Sequence, residues 1–349
     1  MKFIFRIFII FILFLILCLA GFLIYLFTGQ AEPVDKIDFG ITFSQYFAEK
    51  MELDWKKMYS NILDDLNVKK LRLIAYWPNI EPNKDEYYFN DLDWQISEAK
   101  QKQAEVILVI GQKVPRWPEC HIPGWAKELS ENEKQQRILL MLNEIVEHYQ
   151  GNKTIWAWQI ENEPFLKSFG ECSKLDKEFL DKEIALVREL DLDNRQIILT
   201  ASGELSSWVQ PAIHADILGT TLYRIVWSDF LEKHFEYPIP PVFYYKRANL
   251  VRLFTDVERI IIVELQAEPW SHKMLYETDA EEQSKSMDLE KFKEMIKYTE
   301  KTGFNEAYLW GAEWWYWLKE KNQDDSIWQE AKKLWLIKDS PCQAQTLTN

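Results

Sequence analysis

The chain reads as a (β/α)8 barrel, a TIM barrel of the α/β class, preceded by one N-terminal transmembrane helix. Three observations lead there. A charge-free apolar run opens the chain. Beyond it, short apolar runs bounded by turn residues alternate with amphipathic segments, the pattern of repeated βα units around a parallel sheet. About eight such units fill a length close to that of one barrel. An open doubly wound sheet shares the alternation, but no GxGxxG or GxxxxGK(S/T) run is present, which removes its main nucleotide-binding versions.

The opening run, residues 7–27, reads IFIIFILFLILCLAGFLIYLF. At 1.5 Å per residue, ~20 residues match the ~30 Å hydrocarbon thickness of a bilayer. Lys2 and Arg6 precede it, whereas Glu32, Asp35 and Asp38 follow. The positive-inside rule then puts the N-terminus in the cytoplasm and the rest of the chain outside, as a single-pass signal-anchor protein of the cell membrane with an extracellular domain. A cleaved signal peptide and a secreted product are the alternative, since Gly29 and Ala31 form a small-x-small pair. Cys18 follows Leu17, where a lipid-modification site wants a small residue. Three units are expected: a stub and anchor at 1–30, the barrel at 31–340 after a short tether from Gly29 to Pro33, and a tail at 341–349 containing Cys342.

Strands are expected at 37–43, 70–76, 105–110, 155–162, 196–200, 217–223, 259–264 and 306–310. The clearest helices are expected at 54–66, 91–103, 131–149, 175–190, 279–302 and 326–336. With 349 residues, 47% of them hydrophobic, the chain can bury a large core. A net charge of -14 repels phosphate backbones and no basic stripe opposes it, so no nucleic-acid partner is expected. The 16 tryptophans exceed ordinary core needs, and flat indoles suit the C–H faces of sugars. No Cys/His cluster has metal spacing, so neither a metal nor a cofactor is expected.

In a parallel barrel, chemistry gathers where the strands end. The fourth ends in WQIENEP, with Asn162, Glu163 and Pro164; the seventh ends in IVELQAEPW, with Glu264 closing an apolar run; the eighth ends in LWGAEWW. Glutamates from the fourth and seventh strands can face each other across a central cleft, as cleavage of a glycosidic bond with retention requires. Arg72 lies among Leu71, Leu73 and Ile74, where a charge is costly unless paired, and Glu264 is its natural partner. Such an arginine would keep Glu264 ionised, while a drier setting would keep Glu163 protonated. Tyr223, ending the sixth strand, is placed to hydrogen-bond the nucleophile. Glu161 and Glu268 are the remaining acids at these two strand ends, Glu268 being the substitute for Glu264 if the seventh strand runs longer.

WQIENEP, IVELQAEPW, the arginine of the second strand and the tryptophan of the eighth together resemble the clan A glycoside hydrolases, which include families 5, 10 and 39. The resemblance spans residues 36–338. It implies Glu163 as acid/base, Glu264 as nucleophile, Asn162 as a ligand of the sugar 2-hydroxyl, and a carbohydrate substrate. Trp77, Trp117, Trp125, Trp270, Trp310 and Trp314 are the candidate sugar platforms, Trp310 being the best placed for the floor at the cleavage point. Gln112 and His121, on the loop after the third strand, are candidate hydroxyl ligands. Cys120 and Cys172 fall on adjacent loops and could bond outside the cytoplasm; two free thiols are the alternative. Two other readings use the same residues: a membrane-tethered carbohydrate-binding barrel without turnover, and a transglycosylase.

Overall fold

The computed structural model describes residues 2–32, 34, 36–166, 169–172 and 176–336. Pro33, Asp35, Leu175 and the expected tail with Cys342 lie outside them. Eight parallel strands close into a barrel: β1 Asp38–Thr42, β2 Lys70–Ile74, β3 Glu105–Ile110, β4 Ile155–Ile160, β5 Gln196–Ala201, β6 Ile217–Leu222, β7 Arg259–Gln266 and β8 Glu306–Trp310. Each strand pairs with its neighbours in chain order, and β1 pairs with β8 to close the ring. Closure leaves no sheet edge and rules out the open doubly wound alternative.

Period-two alternation divides every strand between an inner and an outer face. Ile107, Ala157, Ile198, Ile217, Ile261, Val263 and Tyr308 fill the barrel interior. Outward residues such as Leu71, Leu73, Trp158 and Ile262 join the larger core beneath the helices. Above this plug the inward side chains turn polar: Gln159 and Thr200 lie two residues beyond Ala157 and Ile198, and Arg72 is buried with them. An apolar plug therefore supports a polar layer, and the candidate site stands on that layer.

The helices match their expected segments closely, with one break. Residues 279–302 form two helices, Ala280–Ser284 and Leu289–Thr299. The second restarts where the Asp288 side chain accepts from the Lys291 N–H at 2.8 Å. Helices Pro241–Phe254 and Ala312–Lys321, and the antiparallel hairpin Ile225–Ser228 with Lys233–Glu236, were not separately legible in the pattern. The N-terminal helix spans Lys2–Phe27; within Phe3–Phe27 an 18-residue window has a mean hydropathy of 3.4 and is unburied. It is long and apolar enough to cross a membrane or to serve as a signal sequence.

Candidate active site

A bulge aims Glu264. On the β6 side, Thr220 pairs with Ile262 and Thr221 with Glu264, so Val263 is an extra residue in the ladder. Strict alternation would give Glu264 the outward phase of Ile262. The bulge turns it inward, two residues before β7 ends at Gln266. There Arg72 Nη1 donates to Glu264 Oε1 at 2.9 Å, and the Tyr223 hydroxyl donates to Oε2 at 3.1 Å. Each carboxyl oxygen thus carries a donor. Arg72, 0% exposed, also donates to Gln159 Oε1 at 2.8 Å and to Asn162 Oδ1 at 3.0 Å. A buried guanidinium is tolerated here because its N–H groups find acceptors.

Asn162 and Glu163 lie just beyond β4, in a turn with left-handed backbone at Glu161 (φ 56°) and Glu163 (φ 44°). Such conformations cost a non-glycine residue ~1 kcal/mol and need outside support. Glu161 supplies it by accepting the Gln112 and Lys113 N–H groups at 2.7 and 2.6 Å. At Gly111, with φ 125°, a Cβ would lie 2.4 Å from Glu161 Oε1, so only glycine admits this approach. The Glu163 N–H donates to Thr200 Oγ1 at 2.6 Å. Burial raises the Glu163 pKa well above the ordinary glutamate value, and Glu264 and Glu119 push it further up. Behind the turn, Glu183 is fully buried and, among the described residues, no N–H or hydroxyl reaches its oxygens. Burial raises the pKa of both Glu161 and Glu183, and the charge of Glu161 pushes Glu183 up further.

Strand β7 does run past Glu264, yet Glu268 is already engaged. Arg116 directs both terminal nitrogens at it, one at 3.1 Å and the other closer, and Nη2 also donates to Glu313 Oε2 at 2.7 Å. The guanidinium lies between the Phe47 and Trp310 rings, 3.9 and 4.0 Å from their centroids. Arg116 and Glu313 were missed by sequence reasoning, although Glu313 stands in the quoted segment LWGAEWW. Glu119 was missed as well. It is buried, accepts from Asn162 Nδ2 at 3.1 Å, and burial pushes its carboxyl up to about 8 despite the pull of Lys113.

The aromatic expectations divide. Trp117, 44% exposed, and half-buried Trp270 offer open rings, with Phe169 packed against both. Trp270 also meets Tyr223 edge-on at 5.0 Å. Trp310 is at the mouth beside Tyr223, but Arg116 covers one face of its ring. Two platforms need correction. Trp77 is 0% exposed, its Nε1 donating to Glu81 at 2.8 Å, and Trp314 is 2% exposed, donating to Gln283 at 3.0 Å. Both indoles are core, because the short helices after β2 and β8 turn them under the rim. Trp125 packs edge-on against Trp77. His121 is also a correction: it bonds the Arg116 carbonyl at 2.9 Å between Tyr46 and Tyr76, and burial lowers its pKa to about 4. Gln112 lies on the same loop, and its buried Nε2 has no partner among the described residues. Cys120 and Cys172 are bonded, tying the loops after β3 and β4. Among the described residues no group of His, Cys, Asp and Glu is arranged to hold a metal.

No family model and no curated protein matches the sequence. Solved structures do match in shape. An exo-β-1,4-mannosidase, Op5Man5 from Opitutaceae bacterium strain TAV5, superposes with a TM-score of 0.52 at 13% identity over 81% of this chain and 53% of its own. The chain thus spans about half that mannosidase. Xylanase 10B from Thermotoga petrophila RKU-1 gives 0.50 at 16% identity, covering 81% of this chain and 87% of that one. A GH5_18 protein from Bifidobacterium longum subsp. longum, in complex with Manβ1-4GlcNAc, gives 0.57 at 12%, covering 78% and 68%. At these identities the likeness shows a shared barrel fold.

Proposed function

We propose that this protein is a retaining glycoside hydrolase of the clan A type, cleaving a β-linked oligo- or polysaccharide. The observation that carries the reading is the unlike setting of two buried carboxyls at one barrel mouth. Glu264 is gripped on one oxygen by Arg72 and on the other by Tyr223, as a fixed nucleophile needs. Glu163 is raised by burial and by its acidic neighbours Glu264, Glu119 and Glu204, as an acid that must hold its proton needs. A mannosidase and a xylanase of the same fold lend support.

In this mechanism Glu163 protonates the leaving oxygen as Glu264 attacks the anomeric carbon, giving a glycosyl ester and the freed alcohol. Glu163, now a carboxylate, takes a proton from water. That water attacks the ester, restoring Glu264. Asn162, fixed by Arg72, presents its amide to the sugar 2-hydroxyl, and Trp117 and Trp270 give the sugar apolar surface, with Trp310 packed beside Trp270 at the mouth. The N-terminal helix would hold residues 31–340 outside the cytoplasm, where the Cys120–Cys172 bond is stable.

Activated aryl β-glycosides and β-linked oligosaccharides test the reading, with the first-formed anomer followed by NMR. Retention is expected, with kcat falling about 1,000-fold or more in Glu163→Gln, on substrates needing acid assistance, and in Glu264→Gln. Binding without turnover would favour the tethered binding barrel, products elongated by an added acceptor would show transglycosylation, and inversion would sink the mechanism.

A further inference from the structure

Glu119 is a third carboxyl of the barrel mouth, and its backbone shows that a side chain is wanted there. Its φ of 70° lies in the region that favours glycine, at a cost of ~1 kcal/mol for glutamate. The loop is nonetheless built around it. The Glu119 N–H donates to the Arg116 carbonyl at 2.7 Å, its own carbonyl accepts from the Val114 N–H at 2.9 Å, and Cys120 beside it bonds to Cys172. Gly170 packs so closely that a Cβ there would lie 2.8 Å from the Glu119 Cβ.

The carboxyl is 4% exposed, with Lys113 Nζ 3.8 Å from Oε2. That same oxygen accepts from Asn162 Nδ2 at 3.1 Å, while Asn162 Oδ1 accepts from Arg72 Nη2 at 3.0 Å. The amide is therefore held at both ends, its oxygen by Arg72 and its nitrogen by Glu119. One Asn162 N–H remains. Glu119 is also close enough to Glu163 and Glu264 to act on them electrostatically, which puts it beside the reacting groups rather than on the rim.

Building on the glycoside hydrolase reading, we infer that Glu119 and Asn162 form a two-sided clamp for one hydroxyl of the sugar at the cleavage point. A hydroxyl both accepts and donates; the amide N–H can only donate, and a carboxyl, charged or protonated, keeps lone pairs that accept. A hydroxyl accepting from Asn162 has its own proton to place, and Glu119 is the acceptor beside it. The clamp selects sugars with a free hydroxyl at that position. Deoxy or O-acylated units supply no proton to Glu119.

The test uses the full chain with a 4-nitrophenyl β-glycoside that it cleaves and the monodeoxy forms of that glycoside. Glu119→Ala and Asn162→Ala should each lower kcat/KM about 10- to 100-fold on the hydroxylated substrate. Both penalties should vanish on the same monodeoxy form. Glu119→Gln, which still accepts through its amide oxygen and avoids an empty space if the alanine variant fails to fold, should recover part of the rate. Equal penalties on every monodeoxy form would mean loop support only and overturn the clamp. So would penalties that vanish at different positions, or no penalty at all. A folded parent that cleaves no glycoside removes the hydrolase reading and the clamp with it; a parent that cleaves but is indifferent to Glu119 removes only the clamp.

Discussion

Arg72 from β2 and Glu264 from β7 meet inside the barrel, Nη1 lying 2.9 Å from Oε1 with the arginine wholly buried. One guanidinium thereby orders Glu264, Asn162 and the layer beneath them. Removing it strands a buried carboxylate. Arg72→Met should cost about 3–5 kcal/mol in urea unfolding. Arg72→Lys keeps the charge but loses the planar fork that reaches Gln159, Asn162 and Glu264 together, so it should fold better than the methionine variant yet lose activity.

The Glu161–Glu183 pair should make the turn carrying Glu163 sensitive to alkali. Burial raises both carboxyls, so the folded chain binds more protons than the unfolded chain above the free glutamate pKa of about 4.3. Their contribution is fully present below that value and is lost as pH rises through the folded values. Thermal unfolding followed across pH should show this decline. Glu183→Gln, whose amide can donate to Glu161 at any pH, should flatten it; an unchanged slope would remove the pair as its source.

The tryptophans separate packing from recognition. Trp77→Ala should cost about 3–5 kcal/mol of stability, since it empties a buried indole site and leaves Glu81 without that donor. Trp117→Ala should leave the melting temperature nearly unchanged and raise KM with kcat retained, because its ring is already open to solvent. Steady-state kinetics beside thermal melts would check both.

Much of this was legible because regular strands impose regular consequences. An arginine inside an apolar run needs a carboxylate or solvent, and alternation with turns specifies a parallel α/β sheet before any contact is known. Asn162 and Glu163 were readable as a dense local motif. Loops carry no such period. Arg116 and Glu119 stand in QKVPRWPECH, but nothing local tells which acid or amide they meet across the mouth. For the same reason Trp77 and Trp314, three and four residues past their strand ends, could not be sorted from the platforms: the turn that follows decides which way an indole faces.

The bond between Cys120 and Cys172 closes a sequence separation of 52 residues and should contribute roughly 4 kcal/mol by chain entropy. Replacing both with serine should lower the urea midpoint by a corresponding amount. Because Cys120 adjoins Glu119 and Cys172 lies two residues after Gly170, reductant should also weaken activity before it unfolds the barrel. Parallel denaturation and rate measurements in reductant would reveal coincident losses if the loops matter only to global stability.

The surplus residue at Val263 sets regularity and chemistry against each other. Drawing Val263 into the ladder, so that every residue of that stretch pairs in turn, would give β7 an uninterrupted ladder with β6, a sheet that is better by every rule of strand pairing. It would also swing Glu264 into the helix layer and leave Arg72 facing an empty mouth. A chain selected for its barrel alone would drift toward that tidier strand, so the irregularity is the place where a scaffold and a reagent can be told apart.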